Sequence, residues 1–428
     1  MNMAARDSRP MVLVIEPQCW GFEHSAYNAA LLHTVCLAYP AHEVAFCGET
    51  THLNYVKEEL DRGGISDRID FRSVNIPERE ASTWRRLPLE FALCGRMLDE
   101  AARQGVAAVV FCSTTSTGLL AIKTMMRIKR FRAPTVAVVH GVLSSILAMP
   151  RRPWNWLLAL KHVLALPHPE NLRLISLGDS VLDNIRKVQP KRQHQWSCLD
   201  LACLWPQHGN ASDEEHPGFR VDQNGIASFG ANTGQAAVHP LRFGFLGVGE
   251  KGFDTFCRVA DDVAPSPEKA VFVMAGFYPS NARKKQPTSR YVPVVPDRPL
   301  TRAAFESSIR QLAYVVWTTP PERLRLAPSA TFVDALAFLK PGIYLRNDYL
   351  EHHFRRMGDI GYLCDSREEM VETIRAIISS FPLDRYRRQV ENIRRGRAIF
   401  EPEALAPRLR AILDGCARRE TGQHETPR

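Results

Sequence analysis

A glycine-rich segment with one lysine is the part of this sequence that most clearly suggests a functional site. The first half of residues 241–252 is largely apolar, which predicts a buried strand, and an apolar pattern with helical spacing starts at Phe253. Between them, Gly247, Gly249 and Gly252 leave a backbone that can turn sharply and approach a bulky ligand.

A loop between a strand and a helix can hold an anion. It offers free N–H groups and the positive end of a helix dipole, and Lys251 adds a full positive charge at the same point. We therefore interpret the loop as the seat of a diphosphate. A tight turn with a solvated lysine is the alternative, because a glycine-rich turn is a weak signal on its own.

A second group of candidate residues lies where a later helix is predicted to start. Ser329, Ala330 and Thr331 precede an apolar pattern, so the N–H groups at this helix start can hold phosphate. Asp334, one turn further, can accept hydrogen bonds from sugar hydroxyls. The alternative is structural, since Thr331 and Asp334 have the spacing of a capping box.

The elements that position these residues form a regular series. Strands alternate with helical patterns of ten or more residues in both halves of the chain, which is typical of parallel βαβ units. The predicted strands are 12–15, 44–47, 69–74, 106–111, 135–139, 172–177, 270–275, 314–317 and 342–345, besides the one before the glycine loop. The main predicted helices are 52–60, 91–104, 121–130, 178–188, 301–312, 331–339 and 368–378, with a charged helical run from 385 onwards.

This order predicts an α/β protein with two Rossmann-like, doubly wound domains that face a cleft. We place the first domain at residues 1–205 and the second at 241–395, with a polar linker at 206–240 and a C-terminal helix at 396–428. Ligands of open parallel sheets bind beyond the carboxyl ends of the strands, so the glycine loop follows its strand at the expected place.

Composition limits the classes of protein to consider. The 428 residues have an ordinary share of hydrophobic side chains, 45%, and a formal net charge of +9, which favours an anionic partner. The ten cysteines include no CxxC pair and complete no zinc site, a usage that indicates a reducing cytoplasm. We expect no signal peptide, because the apolar stretch at 11–15 is too short for one, and no membrane span, because no stretch reaches about 20 apolar residues. We expect no nucleic-acid partner, because the sequence shows no recognised nucleic-acid-binding module.

Several short segments resemble nucleotide-sugar glycosyltransferases of the GT-B fold, in the retaining, metal-independent bacterial group. They are Phe245-Leu246-Gly247 with Glu250-Lys251-Gly252-Phe253-Asp254, Phe332-Val333-Asp334-Ala335-Leu336-Ala337 with Lys340-Pro341-Gly342, Gly21-Phe22-Glu23-His24, and Val139-His140-Gly141. Phe400-Glu401-Pro402-Glu403 is similar to the break before the last helix, which in this group crosses back to the first domain.

The resemblance implies a role for each segment. Lys251, the loop amides and the helix start at Ser329 would stabilise the leaving diphosphate, so we expect neither a metal ion nor a cofactor. Asp334 would bind the donor, and His140 would face the sugar or the acceptor, with a hydrogen-bonded strand-end histidine as the alternative.

Two further pairs follow from the same resemblance. Glu23 and His24, beside Gly21 in the amino-terminal glycine loop, are candidates for contacting donor or acceptor, and one of them could be a general base. Phe277 and Tyr278 would line a pocket for the nucleotide base, or would simply pack.

The chain departs from the pattern of this group at two places. Members usually have two glutamates separated by seven residues, whereas Asp334 stands at the second position and Leu326 at the first. Many also have an arginine ahead of the loop lysine, where Val248 and Gly249 stand here. A pseudo-enzyme that assists an active transferase therefore stays open as an alternative, and so does an epimerase of nucleotide sugars with the same fold.

Basic residues and tryptophans in the first half indicate a further partner. They are Lys123, Arg127, Lys129, Arg130, Arg132, Arg151, Arg152, Trp154 and Trp156. Such a combination suits an anionic membrane surface and a lipid-linked acceptor, as opposed to a solvated helix with buried tryptophans. We predict a glycosyltransferase of surface polysaccharide or glycolipid synthesis, cytoplasmic or peripheral to the inner membrane, that acts on a glycan or a lipid-linked acceptor.

Overall fold

The computed structural model describes most of the chain, with backbone alone for 219–221, 227–229 and 418–420. The described residues are 10–78, 81–147, 156–205, 219–221, 227–229, 240–280, 282, 285–320, 322 and 325–420. The chain divides into two compact units. The first comprises Met1–Leu204, Leu326–Pro328 and Ile399–Arg428, and the second comprises Trp205–Arg325 and Ser329–Ala398.

The first unit contains a seven-stranded parallel sheet with the order β3-β2-β1-β4-β5-β6-β7. Its strands are β1 Met11–Ile15, β2 Glu43–Gly48, β3 Ile69–Ser73, β4 Ala108–Phe111, β5 Thr135–Val138, β6 Leu172–Leu177 and β7 Trp196–Leu199. Its helices are α1 Ser25–Ala38, α2 Thr50–Asp61, α3 Thr83–Gln104, α4 Ser116–Ile128, α5 Leu160–Ala165, α6 Asp179–Val188 and, at the far end of the chain, α13 Pro402–Glu420.

Helices cover both faces of this sheet, so its central strands are apolar along their length. Val12, Leu13, Val14 and Ile15 of β1 all have 0% exposure, as expected for a parallel strand buried on both sides. Helix α13 completes the core of the unit: Leu405, Leu409 and Leu413 are buried in the same hydrophobic cluster as residues of α1 and β1.

The second unit contains a five-stranded parallel sheet with the order β11-β10-β12-β13-β14. Its strands are β10 Leu241–Val248, β11 Ala270–Phe277, β12 Tyr314–Trp317, β13 Gly342–Leu345 and β14 Gly361–Cys364. Its helices are α7 Phe253–Val263, α8 Arg302–Arg310, α9 Ala330–Ala337, α10 Asp348–Met357, α11 Arg367–Ser379 and α12 Leu383–Gly396. A separate antiparallel hairpin pairs β8, Phe219–Val221, with β9, Ala227–Phe229.

The prediction of two doubly wound α/β domains is confirmed, whereas the structure differs from the sequence-based prediction in several local elements. Helix α3 begins at Thr83 rather than near residue 91; its first turns contain Pro88 and two arginines among scattered apolar residues, so the sequence shows no regular apolar stripe there. Strands β7 and β14 were missed because neither is a continuous run of large apolar side chains, and α10 because six of its ten residues are charged or histidine. The segment predicted as a plain linker contains the β8–β9 hairpin.

Each sheet has one point where the strand order reverses. In the first sheet it lies between β1 and β4, and in the second between β10 and β12. Loops that leave the carboxyl ends of these strand pairs diverge and open a crevice, which is where doubly wound sheets bind ligands. Within the described residues, no helix is long and apolar enough to cross a membrane.

Candidate functional site

The glycine loop of the second unit follows β10, on one side of the reversal point. A Cβ atom on Gly247 would lie 2.6 Å from Cγ2 of Thr331, so only a glycine lets the loop approach the start of α9 this closely. Its φ of +87° also disfavours any residue with a side chain. The predicted loop and the predicted helix start, 84 positions apart in sequence (331 − 247), are therefore in direct contact.

The end of the same loop rests against the carboxyl end of β12, on the other side of the reversal point. Gly252 has φ +128°, and a Cβ atom there would lie 2.5 Å from the backbone oxygen of Thr318. The Thr318 hydroxyl donates to the Gly252 carbonyl oxygen at 2.8 Å, which fixes this approach. The loop thus spans the reversal point of the second sheet.

Helix α7 begins at this loop and the start of α9 contacts it, and neither start is capped by a side chain. Gly252 is the N-cap of α7 and Ser329 that of α9, and neither helix shows a side-chain hydrogen bond at its cap. The Ser329 hydroxyl instead lies 3.2 Å from that of Thr331. The N–H groups of a first turn lack partners within the helix, so these two starts provide donors and positive dipole ends for an anion.

The capping-box alternative for Thr331 and Asp334 is wrong. Helix α9 begins at Ala330, so Asp334 is its fifth residue and lies beyond the position from which a carboxylate reaches back to the cap. Asp334 is half-buried, Ala330 is exposed, and Leu326 is buried at 2% exposure.

Lys251 and the aromatic pair, Phe277 and Tyr278, differ in how far their side chains are exposed at the loop. Lys251 is exposed at the end of the short turn Gly249–Lys251. Tyr278 is buried at 5% exposure, and a Cβ atom on Gly249 would lie 2.3 Å from Cδ2 of its ring, so Tyr278 packs directly on the loop. Phe277 ends β11 and is half-buried. The packing favours a structural role for Tyr278, holding the loop from one side.

In the first unit, His140 and His24 lie together beyond the carboxyl end of the sheet. His140 follows β5 and is 8% exposed, and its ring centroid lies 4.8 Å from that of His24 and 5.8 Å from that of Tyr27. Burial, together with the nearby His24, lowers the pKa of His140 to about 4, although the Glu16 carboxylate opposes the shift. His140 is therefore a neutral imidazole at neutral pH, and exposed His24 lies over it.

A buried hydrogen-bond network holds the amino-terminal glycine loop, and the side chains at its centre, those of Glu16, Asn28, His52 and Ser113, were not recognised in the sequence. Glu16, 0% exposed, accepts from the backbone N–H groups of Gln18 at 3.0 Å and Cys19 at 3.2 Å. It also accepts from the Asn28 amide at 3.0 Å and from the Ser113 hydroxyl. Ser113 follows β4, so this carboxylate ties together both sides of the reversal point of the first sheet.

The network continues to the backbone of the loop itself. The second N–H of Asn28 lies 2.9 Å from Nε2 of His52, so the His52 proton is on Nδ1, which donates to the Gly21 carbonyl oxygen at 2.8 Å. Gly21 has φ +54° and His24 φ +53°. Glu23 accepts from the N–H of Trp20 at 3.3 Å. The signal that could have revealed this network is Glu16 itself, a carboxylate placed directly after a wholly apolar strand.

The lowered pKa of His140 leads to a prediction for stability. Between pH 6.5 and about 4 the unfolded chain binds a proton at this imidazole and the folded chain does not, so the free energy of unfolding falls as the pH falls through this window. The shift corresponds to about 3 kcal/mol. We expect the wild type to lose more stability than His140→Gln between pH 7 and pH 4.5 in urea unfolding. Parallel losses in the two proteins would contradict the assignment.

The basic residues of the first unit do not form one exposed surface. Lys123 is 1% exposed and donates to the carbonyl oxygens of Val163 at 3.0 Å and Leu166 at 2.9 Å, so it closes the end of α5. Burial lowers its pKa to about 8. Lys129 binds both oxygens of Asp99, at 2.6 and 2.7 Å. The predicted contributions of Arg151, Arg152 and Trp154 lie outside the described residues.

The side chains of this group and its neighbours that are exposed include both basic and apolar ones. Arg127, Arg130 and Arg132 are exposed, Trp156 has 43% of its surface exposed and Leu157 70%. Within the described residues, no group of three or more histidine, cysteine, aspartate or glutamate side chains could hold a metal ion.

No family model matches the sequence, and no curated protein matches it. Solved structures do match its fold. A glycosyltransferase from Rickettsia africae is 10% identical, with a TM-score of 0.57 over 95% of this chain and 98% of its own. HepE from Anabaena, in complex with UDP, is 11% identical, with a TM-score of 0.53 over 96% and 98%. A UDP-N-acetylglucosamine 2-epimerase is 12% identical, with a TM-score of 0.51 over 98% and 99%.

These matches extend over nearly the whole length of both chains, at identities that establish the fold alone. The chain has the GT-B fold, a pair of α/β units that each contain a parallel sheet. Transferases and an epimerase share it, so the activity has to be argued from the residues of the site.

Proposed function

We propose that this protein is a glycosyltransferase that moves a sugar from a nucleoside-diphosphate sugar to an acceptor hydroxyl. The observation that carries the proposal is the contact of the glycine loop with the start of α9 at Gly247 and Thr331, which places two uncapped helix starts at one loop. Lys251 directly precedes the N-cap residue of α7 in that loop. HepE, which shares the fold, has been solved with UDP and with UDP-glucose. This supports a nucleotide-sugar donor.

The chemistry follows from the charges that develop. The bond between the anomeric carbon and the diphosphate breaks, a bond to the acceptor oxygen forms, and the acceptor hydroxyl loses its proton. Negative charge grows on the leaving diphosphate, where the N–H groups of the helix starts and Lys251 stabilise it. Lys251 supplies the positive charge that a metal ion supplies in other transferases. Asp334 binds donor hydroxyls, and His140, with Glu23 and His24, contacts the sugar or the acceptor.

Lys251→Ala is expected to weaken binding of the nucleoside diphosphate at least about tenfold, since a charge-assisted contact is worth roughly 1.5–3 kcal/mol. The matched control is Lys269→Ala, an exposed lysine in the same unit directly before β11, at the opposite edge of the sheet. Calorimetric titration measures both affinities. Equal affinities of the two variants would remove Lys251 from the site.

Asp334→Asn is expected to lower turnover at least about tenfold, because the amide keeps the shape of the side chain and loses a charge-assisted hydrogen bond. The control is Asp384→Asn, an exposed aspartate in the first turn of α12. Initial rates of sugar transfer provide the measurement, with circular dichroism as a check on folding. Wild-type turnover in Asp334→Asn would leave this residue without a role in the reaction.

A lipid-linked acceptor, and with it an anionic membrane surface, is part of the proposal. The exposed Trp156 and Leu157 support it, as does the net charge of +9. Ile128 is 69% exposed between the exposed arginines at 127 and 130, which adds an apolar contact beside two basic side chains. We propose synthesis of surface polysaccharide or glycolipid as the process, in the cytoplasm at the inner face of the membrane. None of the ten cysteines, all of which lie in the described residues, forms a disulfide, and this supports a reducing compartment.

Epimerisation of a nucleotide sugar is the second candidate, because a UDP-N-acetylglucosamine 2-epimerase has the same fold over the whole chain. The deciding experiment incubates the protein with UDP, GDP, ADP and CMP sugars, with and without a membrane extract that contains glycan and lipid acceptors. Release of the nucleotide only with the extract supports transfer. A changed sugar without the extract supports the epimerase. Nucleotide binding without either product supports the pseudo-enzyme, for which buried Leu326 in place of a glutamate is the reason.

A further inference from the structure

Two aromatic side chains are exposed beside the amino-terminal glycine loop, and the proposed reaction has not used them. Phe22, in the loop itself, has 57% of its surface exposed, and Tyr55, on α2, has 45%. Their ring centroids are 6.4 Å apart at an interplanar angle of 78°, so the rings meet edge to face. In this arrangement one ring supports the other and leaves an aromatic face open to a ligand.

Phe22 is exposed on a backbone that is held on both sides. On one side, the Gly21 carbonyl oxygen accepts from His52, and the Trp20 indole donates to the Pro77 carbonyl oxygen at 3.1 Å. On the other side, the N–H of Ser25 donates to the Phe22 carbonyl oxygen at 3.2 Å as α1 begins. These hydrogen bonds hold the backbone of the loop in place, and the loop in this conformation leaves the Phe22 ring exposed.

The neighbours of Phe22 define which ligand suits the pair. Glu23 and His24 follow it directly, and His24 lies over His140, so an apolar ring stands next to side chains that form hydrogen bonds. A neutral pyranose has the complementary surface, with one face of C–H groups and an edge of hydroxyls. The Glu23 carboxylate disfavours an anionic ligand. Two side chains alone are far too small for a protein partner, which needs about 800 Å² on each side.

We propose that Phe22 and Tyr55 form a stacking platform for a neutral sugar ring of the acceptor. The inference rests on the proposed transferase function and specifies its acceptor side. An aromatic face gains dispersion and electrostatic energy from C–H groups stacked on it, while Glu23 and His24 fix the orientation of the ring through its hydroxyls. The platform thus selects acceptors whose sugar exposes one apolar face.

Saturation-transfer NMR on the full chain tests the platform with methyl β-glucoside, methyl β-galactoside, methyl α-mannoside and octyl β-glucoside below its micelle concentration. We expect the ring protons of one sugar face to receive saturation in the wild type and in Phe22→Trp. In Phe22→Ala the effect should fall at least about fivefold, as for the loss of one stacked aromatic ring. The matched control is Leu89→Ala, which removes another exposed apolar side chain of the first unit, 51% exposed on α3.

Each result has one consequence. An undiminished signal in Phe22→Ala, no ring-proton signal for any glycoside in the wild type, or saturation of the octyl chain alone overturns the platform. Titration of the same samples with UDP, GDP, ADP and CDP tests the transferase proposal separately. Normal diphosphate binding with no sugar contact refutes only the platform, whereas sugar contact without diphosphate binding refutes the donor site and leaves the platform standing as a sugar site.

Discussion

Replacement of Gly252 by alanine is expected to abolish measurable binding of nucleoside diphosphates. At φ +128° the new methyl group would lie 2.5 Å from the Thr318 carbonyl oxygen, which is backbone and cannot rotate away. The loop must then move, and it loses both its hydrogen bond to Thr318 and the N-cap geometry of α7. Strain of this kind costs about 1–3 kcal/mol before the clash itself is counted.

Gly64→Ala separates the clash from the backbone strain. Gly64 also has positive φ, +68°, but nothing lies within 4 Å of a Cβ atom there. We expect this variant to bind nucleoside diphosphates as the wild type does, with a loss of stability of about 1 kcal/mol. Calorimetric titration and thermal unfolding of both variants provide the comparison. Diphosphate binding by Gly252→Ala at wild-type affinity would show that the loop is not the seat.

The second large effect is expected for Glu16→Ala in the first unit. The substitution leaves the N–H groups of Gln18 and Cys19 and the side chains of Asn28 and Ser113 without their acceptor in a buried site. One unsatisfied buried donor costs about 1–3 kcal/mol. Because some of these four donors can find other acceptors when the loop relaxes, we expect the free energy of unfolding to fall by roughly 3 kcal/mol or more. The loop that carries Gly21 and His24 loses its anchor at the same time.

Differential scanning calorimetry should therefore show unfolding of the first unit at a temperature lower by roughly 6–12 °C. Turnover should fall as well, because His24 and His140 depend on the loop for their arrangement. Glu43→Ala is the matched control, an exposed glutamate that starts β2 at the amino edge of the same sheet. A thermogram of Glu16→Ala that matches this control would contradict the structural role of Glu16.

The sequence was sufficient to predict those features that depend on residues close to one another in the chain, such as buried strands and glycine turns. Buried strands such as β1 and β12 are short apolar runs. The three glycines at the end of β10 and in the turn after it stand where the backbone makes a close approach or has a positive φ. These patterns were sufficient for the fold class. They also singled out Thr331 and Gly247 separately, although neither residue indicates the other as its partner.

Contacts between distant segments could not be predicted in this way. Glu16, Asn28, His52 and Ser113 come from four separate segments, and although Glu16 stands out after an apolar strand, nothing in the sequence indicates its three partners. Lys123 illustrates the opposite error: basic residues at 127, 129 and 130 follow it and suggest a surface, yet its side chain turns inward to the carbonyl oxygens at the end of α5. Whether a lysine side chain points inward depends on which carbonyl oxygens without a hydrogen-bond partner lie nearby in the folded protein. The local sequence does not contain that information.

We expect the carboxyl edge of the second sheet to bind a diphosphate group. Calorimetric titration of the full chain with UDP, GDP, ADP and CDP, each compared with its monophosphate in the presence of EDTA, measures this binding. We predict that at least one diphosphate binds without a divalent cation, and at least about tenfold more tightly than its monophosphate, since the second phosphate reaches Lys251 and the helix starts. Binding of no diphosphate, or equal binding of diphosphate and monophosphate, would contradict the account.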